Sequence, residues 1–454
     1  MADFVKSRTP RFGVDVYQNA YLPAGAREVH AIVTVTATGS GGRPVPGGEP
    51  ADGPEAAVVI MVDCSGSMEY PQEKMRGARQ ATAAAIDALR DGVAFAVVAG
   101  THRAAEVYPG GGRLAVASQA AKAAAREALR GLRASGGTAI GTWLRLAGEL
   151  LATTPAGIRH GILLTDGRNE HETPEELRAA LDAQAGRFTC DARGVGTDWD
   201  VAEVTSIASA LLGSADIVAE PGGLAADFTM LMESAMGKGI GDVGLRLWTP
   251  QGASVRFVKQ VAPTVEDLTA RRSDSPPRSG DYPTGSWGDE SRDYHVCVEV
   301  PAAAVGHEML AARVALIVPD PEDPAGTPAQ VLGNGLVRAV WTDDIEAATA
   351  VSPQVAHYTG QAELARAIKD GLALRRRGDE TGATARLGRA VALAHGSGNE
   401  ETAKLLAKVV DVEDAVAGTV RLKATVAEAD EMTLETRSTK TVRVKKPDRD
   451  ERHT

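Results

Sequence analysis

The sequence predicts an α/β protein in which a doubly wound, mostly parallel sheet is inserted into a split antiparallel β-sandwich and followed by a small helical domain. Three observations carry this reading. Between Ala56 and Thr229, apolar strand-like runs alternate with alanine-rich helical stretches, the order that packs helices onto a parallel sheet. Before residue 40 and again after residue 240 the period becomes strict alternation, the mark of half-buried antiparallel strands. Beyond Tyr358, apolar residues recur at helical steps. A chain of 454 residues also exceeds the roughly 250 to 300 residues that one core serves, so two or three domains are expected.

Residues 1–40 read as the first part of the sandwich. Within them Val29, Ala31, Val33, Val35 and Ala37 fall on one face. Two or three strands cannot bury a core alone, so they need partners from beyond the insertion. Residues 41–54, within GSGGRPVPGGEPADGP (39–54), read as a flexible linker.

The α/β domain is expected over 55–238. Its strand runs are AAVVIMV (56–62), VAFAVVA (93–99), IRHGILL (158–164), RFTCDARGVG (187–196) and SADIVAE (214–220). The first two are apolar almost without a break, as in parallel strands covered on both faces. Helices are expected over Glu73 to Leu89, Ala117 to Arg133, Ala139 to Ala152, Pro174 to Ala185, Val201 to Leu212 and Leu224 to Met236.

Residues 240–350 read as the second part of the sandwich, about five strands marked by Val243, Leu245, Leu247 and by Tyr294, Val296, Val298, Val300. Two polar stretches, Ala270 to Arg292 and PDPEDPAGTP (319–328), read as long mobile loops. A helical bundle or hairpin follows over 358–415, with stripes at Leu364, Ile368, Leu372, at Leu387, Ala390, Val391, Ala394, and over Glu400 to Val410. Residues 416–454 form a C-terminal extension. Its end after Thr436 carries Arg437, Lys440, Arg443, Lys445, Lys446, Arg449 and Arg452 and reads as a disordered basic tail. There Ser438, Thr439 and Thr441 are either phosphorylation targets or, as we favour, ordinary polar residues.

The formal net charge of −11 argues against nucleic acid and anionic membrane as partners. No run reaches the ~18 apolar residues a spanning helix needs, and MADFVKSRTPRFG lacks the apolar segment of a signal peptide, which makes the cytoplasm the expected compartment. Cys64, Cys190 and Cys297 have no metal-ligand spacing and read as reduced core residues.

The chemistry gathers at the end of the first parallel strand, where DCSGSM supplies Asp63, Ser65 and Ser67. Ligand sites in open parallel sheets lie just beyond the carboxyl ends of strands. A hard dication such as Mg²⁺ takes oxygen ligands, and one carboxylate with two hydroxyls supplies part of that shell. Thr138 in SGGTAIG and Asp166 in ILLTDG add oxygens at the same rim. Two carboxylates balance a dication while neutral hydroxyls add no charge, which leaves the metal an appetite for an external Asp or Glu. The competing reading makes Ser65, Gly66 and Ser67 a turn capping the next helix, and Thr138 a helix N-cap. Asn169, Glu170, His171 and Glu172 either line the rim or form a solvated loop, and His102 and His160 read as surface or satisfied core histidines.

These residues resemble the metal-ion-dependent adhesion site of von Willebrand factor type A domains, written D-x-S-x-S, then Thr, then Asp. The resemblance covers roughly residues 54 to 238. It implies a metal held by Ser65, Ser67 and Thr138 directly and by Asp63 and Asp166 largely through water, with Mg²⁺ expected and Mn²⁺ or Ca²⁺ as alternatives. It further implies a protein partner whose Asp or Glu completes the coordination. Relatives of this architecture imply partners such as MoxR-type AAA+ ATPases, or signalling modules with kinases and phosphatases, in a bacterial-style cytoplasm.

For an enzyme one expects a nucleophile elbow, a P-loop or a dinucleotide fingerprint. None occurs, and GKGIGD (237–242) lacks the last glycine. The first expectation is therefore a non-enzymatic, metal-dependent protein-binding scaffold. The alternative is a metal-dependent hydrolase or phosphatase using the same cation, although Ser65 stands where an Asp-x-Asp phosphatase needs its second carboxylate. A surface adhesin would require a secretion signal.

Overall fold

The structure, a computed structural model, describes residues 10–39, 56–275, 277–320, 328 and 330–443. Strands β1 (Arg11–Gln18), β2 (Tyr21–Pro23) and β3 (Glu28–Thr38) come first. The α/β segment follows as β4 (Ala56–Asp63), α1 (Glu73–Ala88), β5 (Ala94–Gly100), β6 (Ala104–Tyr108), β7 (Ala115–Val116), α2 (Gln119–Leu129) and α3 (Ile140–Leu151). It continues as β8 (Ile158–Thr165), α4 (Pro174–Gln184), β9 (Thr189–Val195), α5 (Val201–Ala210), β10 (Ala215–Val218) and α6 (Leu224–Met236). Next come β11 (Ile240–Trp248), β12 (Ser254–Ala262), β13 (Glu266–Asp267), β14 (Ser273–Ser275), β15 (Ser279–Trp287), β16 (Glu290–Glu299), β17 (Glu308–Val318) and β18 (Gln330–Thr342). The chain ends in α7 (Ile345–Thr349), α8 (Pro353–Arg376), α9 (Glu380–Gly396), α10 (Glu400–Val409), the hairpin β19 (Val410–Asp414) and β20 (Thr419–Leu422), and α11 (Glu428–Arg437).

The described residues fall into two compact units, one built on Ala37–Val243 with Thr284–Asp289, the other on Phe12–Thr36, Gly244–Pro283 and Glu290 onward. In the first, strands order as β10-β9-β8-β4-β5-β6, and β4, β5, β8, β9 and β10 run parallel. Two short antiparallel strands that the periodicity did not reveal, β6 and β7, flank β5 at the edge. They are only half-buried, so they lack the continuous apolar run that betrays the central strands.

Val58, Ile60 and Val62 of β4 pack with Phe95, Ile162 and Leu164 against Ala78, Ala85 and Ile86 of α1 and Phe228 of α6. These side chains are small and aliphatic, so helices approach the sheet closely. The same economy of volume recurs at Gly100, where a Cβ would come within 2.3 Å of the fully buried Trp143 ring of α3. Burying that ring contributes about 3 kcal/mol, and any side chain at 100 must displace it. Helix starts follow local chemistry: Thr173 and Glu176 form a capping box with Pro174 at the first helical position of α4.

Of the two other large sheets, one orders as β1-β3-β16-β12-β13 and the other as β14-β15-β11-β17-β18-β2. Each mixes strands from before the α/β segment with strands from after it; β2, for example, pairs in parallel with β18 through Tyr21 and Val340. Gly333 and Gly335 of β18 face Val14 and Val16 of β1, where a Cβ would lie 2.8 and 2.6 Å from a valine methyl.

Three expectations need correction. The polar stretch 270–292 is not a mobile loop. It contains β14, β15 and the start of β16, and eight of the nine β15 residues are buried. Ser, Gly and Thr hide this strand from a hydropathy reading, yet Tyr282 and Trp287 anchor it, and Asp281 accepts from Arg246 Nε–H and Nη2–H at 2.7 Å each.

The helical region also does not stop at 415. Val420 of β20 and Leu434 of α11 share one core with Leu364, Leu387 and Leu406, so 358–415 and the start of the extension are one body. Nor is the segment after Thr436 wholly disordered: Val265 N–H donates to the Thr439 carbonyl (2.8 Å), Thr441 N–H to the Pro263 carbonyl (2.9 Å), and Arg443 holds Asp293. Ser438 is buried and the Thr441 hydroxyl donates to the Val261 carbonyl (2.6 Å), so these two hydroxyls are spent on structure. The rest of the tail, 444–454, the linker 41–54 and most of the 319–328 stretch lie outside the described residues.

Cys64, Cys190 and Cys297 are free and buried. Among the described residues no helix is long and apolar enough to cross a membrane.

Candidate metal centre

Asp63 is the last residue of β4, and Asp166 directly follows β8, its parallel neighbour. From β4 the chain proceeds to β5 on one side while β8 lies on the other, so the crevice between them is a switch point of the sheet, open at the strands' carboxyl ends. After β4 the backbone turns sharply. Cys64 N–H donates to the Gly100 carbonyl (2.7 Å), Gly66 N–H to the Gly136 carbonyl (2.9 Å), and Ser135 N–H to the Cys64 carbonyl (2.8 Å). The last two bonds tie the SGGT segment, and Thr138 with it, to the serine loop.

The side chains then converge. Ser65 N–H donates to Asp63 Oδ1 (2.8 Å), the Ser65 and Ser67 hydroxyls lie 2.8 Å apart, and Ser67 Oγ donates to Asp166 Oδ1 (2.7 Å). A Cβ at Gly167 would stand 3.0 Å from Ser67 Oγ and 3.6 Å from Thr138 Oγ1. All five residues singled out in the sequence, Asp63, Ser65, Ser67, Thr138 and Asp166, therefore meet around one spot. Asp63 and Asp166 are fully buried, Ser65 and Thr138 nearly so, and Ser67 is exposed at the mouth.

The capping alternative fails for these hydroxyls. Ser65 precedes a short 3₁₀ turn without making a side-chain cap bond. The amino end of α3 is satisfied by others: Asn169 Oδ1 accepts from Ile140 N–H (2.8 Å) and Glu172 Oε2 from Gly141 N–H (2.7 Å). Asn169 and Glu172 thus act on the helix that follows Thr138. His171 packs on Gly137 and His102 on Gly136, each closer than a Cβ would permit. His160 is a core histidine, bonded to Asp191 and Thr189 at 2.9 Å each.

Three participants escaped the sequence reading. Thr165 Oγ1 donates to Asp63 Oδ2 (2.7 Å). Lys74, in the first turn of α1, places its ammonium 2.8 Å from Asp166 Oδ2 and 2.9 Å from Asp198 Oδ2. A signal existed for Lys74, since a cation in the first turn of a helix opposes the helix dipole and needs an external reason.

Burial pushes the Asp63 carboxyl up to about 6 from 3.8; the nearby Asp166 charge adds to this, while hydrogen bonds from Ser65 and Thr165 act against it. Burial also works against the Lys74 charge, but hydrogen bonds to Asp166 and Asp198 prevail and hold its pKa above the ordinary lysine value. Asp166 Oδ2 is buried and its partner is the Lys74 ammonium at 2.8 Å. Two buried carboxylates and three hydroxyls suit a hard dication, which prefers oxygen donors and retains water.

Fold and site together define a doubly wound α/β domain with a cluster of oxygen-bearing side chains at its sheet switch point. Residues 56–217 match the von Willebrand factor type A domain, and residues 392–438 match the von Willebrand factor type A C-terminal domain. A solved structure, the von Willebrand factor type A protein from Catenulispora acidiphila, is 49% identical, with 97% of this chain and 99% of that one covered and a TM-score of 0.89. The chain belongs to the von Willebrand factor type A family. The ArnB paralog VWA2 from Sulfolobus acidocaldarius is 13% identical over 95% of this chain and 98% of its own, with a TM-score of 0.57, and shares the fold. Curated proteins give no match.

Proposed function

We propose that the chain is a non-enzymatic scaffold that binds a partner protein through Mg²⁺ held by Asp63, Ser65, Ser67, Thr138 and Asp166, with an Asp or Glu of the partner completing the shell. Its family is a metal-dependent protein-interaction module. One observation carries the reading: four of the five residues are buried and only Ser67 is exposed. That arrangement gives the site a single solvent-facing side. A bound dication would supply an electrostatic hold on an incoming carboxylate. The chain's own contribution is preorganisation: Thr165 and Ser65 fix Asp63, Ser67 fixes Asp166, and the backbone bonds to Gly136 and Cys64 fix the segment bearing Thr138.

The test is affinity capture with the full chain in Mg²⁺, in EDTA, and with Ser65→Ala plus Ser67→Ala. Partners retained in Mg²⁺ and lost in both other arms support the reading. The same proteins in all three arms overturn it.

A further inference from the structure

A second cluster of metal-type ligands lies in the sandwich, remote in chemistry from the oxygen-only centre. Glu28 and His30 project from one face of β3, and His295 and Cys297 from the matching face of β16, its neighbour in the sheet. The ligand atoms of Glu28, His30 and Cys297 all lie within 4.8 Å of one another. His30 Nε2 is 3.9 Å from Cys297 Sγ and 3.9 Å from Glu28 Oε2. Around a tetrahedral Zn²⁺ such atoms stand about 3.3 to 3.6 Å apart, so small side-chain rotations close the difference.

The surroundings support a site. Glu28 uses Oε1 toward Arg256 (3.5 Å), which leaves Oε2 on the His30 side. His30 Nδ1 lies 3.1 Å from His295 Nε2. With His30 ligating through Nε2, its Nδ1–H donates to His295, the outer-shell bond that fixes a metal-binding imidazole in one tautomer. The ring of Phe257, on β12 opposite Cys297, sits edge-on to His295 with centroids 5.0 Å apart and walls the cluster on that side. Cys297 is buried, His30 half-buried and Glu28 exposed, so a cation enters from solvent past Glu28 and ends against the sulfur.

We infer that Glu28, His30 and Cys297 form a binding site for a Zn²⁺-class cation, with His295 as its positioning residue and solvent in the fourth place. Thiolate and imidazole select a borderline transition metal over Mg²⁺, so the two centres sort different cations. Binding releases the Cys297 thiol proton to solvent. The cation joins a strand that precedes the α/β segment to one that follows it, adding to the His30–His295 and Glu28–Arg256 contacts across the same junction.

Co²⁺ titration of the full chain tests this, because thiolate ligation gives a near-ultraviolet charge-transfer band that oxygen ligands cannot. A saturable band is expected, displaced by Zn²⁺, kept in Ser65→Ala plus Ser67→Ala, and lost in Cys297→Ser. His30→Gln should abolish it, and His295→Phe should weaken Zn²⁺ binding by about tenfold or more. No band in the unaltered chain, or a band unchanged in Cys297→Ser, overturns the site; the latter would move it to Cys64 or Cys190. If Cys297→Ser does not fold by circular dichroism, His30→Gln decides alone, and an undiminished band in it overturns the proposal.

Discussion

Lys74 and Asp166 form an ion pair of 2.8 Å inside the candidate metal centre, with the lysine side chain only 10% exposed and the aspartate fully buried. An ammonium therefore occupies part of the electrostatic role a dication would play. A metal bound here would share that carboxylate with Lys74, and each would lower the other's hold on it.

Lys74→Met is expected to tighten Mg²⁺ binding on the order of tenfold, since one unit charge a few ångströms from the ion is removed in a medium of intermediate dielectric. In EDTA the same variant should melt below the unaltered protein, because Asp166 loses its counter-charge. Isothermal titration calorimetry and thermal melts check both parts; equal or weaker Mg²⁺ affinity contradicts the shared-carboxylate account.

Gly167→Ala tests the convergence of the hydroxyls. The added methyl would sit 3.0 Å from Ser67 Oγ, tighter than ordinary contact, and would displace Ser67 from Asp166. Mg²⁺ affinity should fall by about tenfold or more, the cost of disturbing a supporting hydrogen bond in a metal site, with far-ultraviolet circular dichroism unchanged. Full affinity in this variant would mean that Ser67 and Thr138 do not act together.

Asp191 governs an acid limb of stability. Burial raises its pKa, but the hydrogen bond from His160, the His160 and Arg193 charges and a hydrogen bond from Ser214 outweigh that and hold it below the ordinary value of 3.8. A depressed folded pKa means stabilisation that is complete above the unfolded value and fades as pH falls below it toward the folded one. Asp191→Asn should thus lower stability at neutral pH by about 3 kcal/mol, the scale for breaking a buried pair, and flatten the decline below 3.8. Parallel melting curves for the two proteins across pH 2 to 7 (a range of roughly the span over which carboxylates titrate) would refute this.

The carboxyl-terminal segment should matter to the fold. Arg443 reaches both oxygens of Asp293 at 2.9 Å, and Tyr358 of α8 donates to the same buried carboxylate. Arg443→Ala leaves Asp293 with two N–H donors fewer in a low-dielectric setting, at a cost of about 2 to 3 kcal/mol. Denaturant unfolding measures it, and a truncation after residue 438, which also removes the Thr441 bonds to Val261 and Pro263, should cost more than the point variant.

How legible all this was depends on the range of the interaction. The parallel sheet and the positions of Asp63 and Asp166 could be read because strand periodicity and strand ends are local properties, and D-x-S-x-S lies within five residues. Thr138 was legible as a hydroxyl in SGGTAIG, and the family pattern gave it a direct metal-ligand role. The bridge that Lys74 makes between Asp166 and Asp198 was not legible, because it depends on how α1 and the loop after β9 come together in space. Strand β15 hid behind Ser, Gly and Thr, whose burial is decided by neighbours rather than by their own hydropathy. Glu28, His30 and Cys297 share no linear spacing, since sheet pairing alone makes them adjacent.

The mixed origin of the two sandwich sheets has a consequence for synthesis on the ribosome. Strand β3 finds its partner β16 only once Glu290–Glu299 has emerged, after the whole of the parallel-sheet domain is available to fold. Until then one long edge of β3, rich in valine, stands unmatched, the kind of edge that invites pairing between nascent chains. Translation speed through the intervening segment would set how long that exposure lasts.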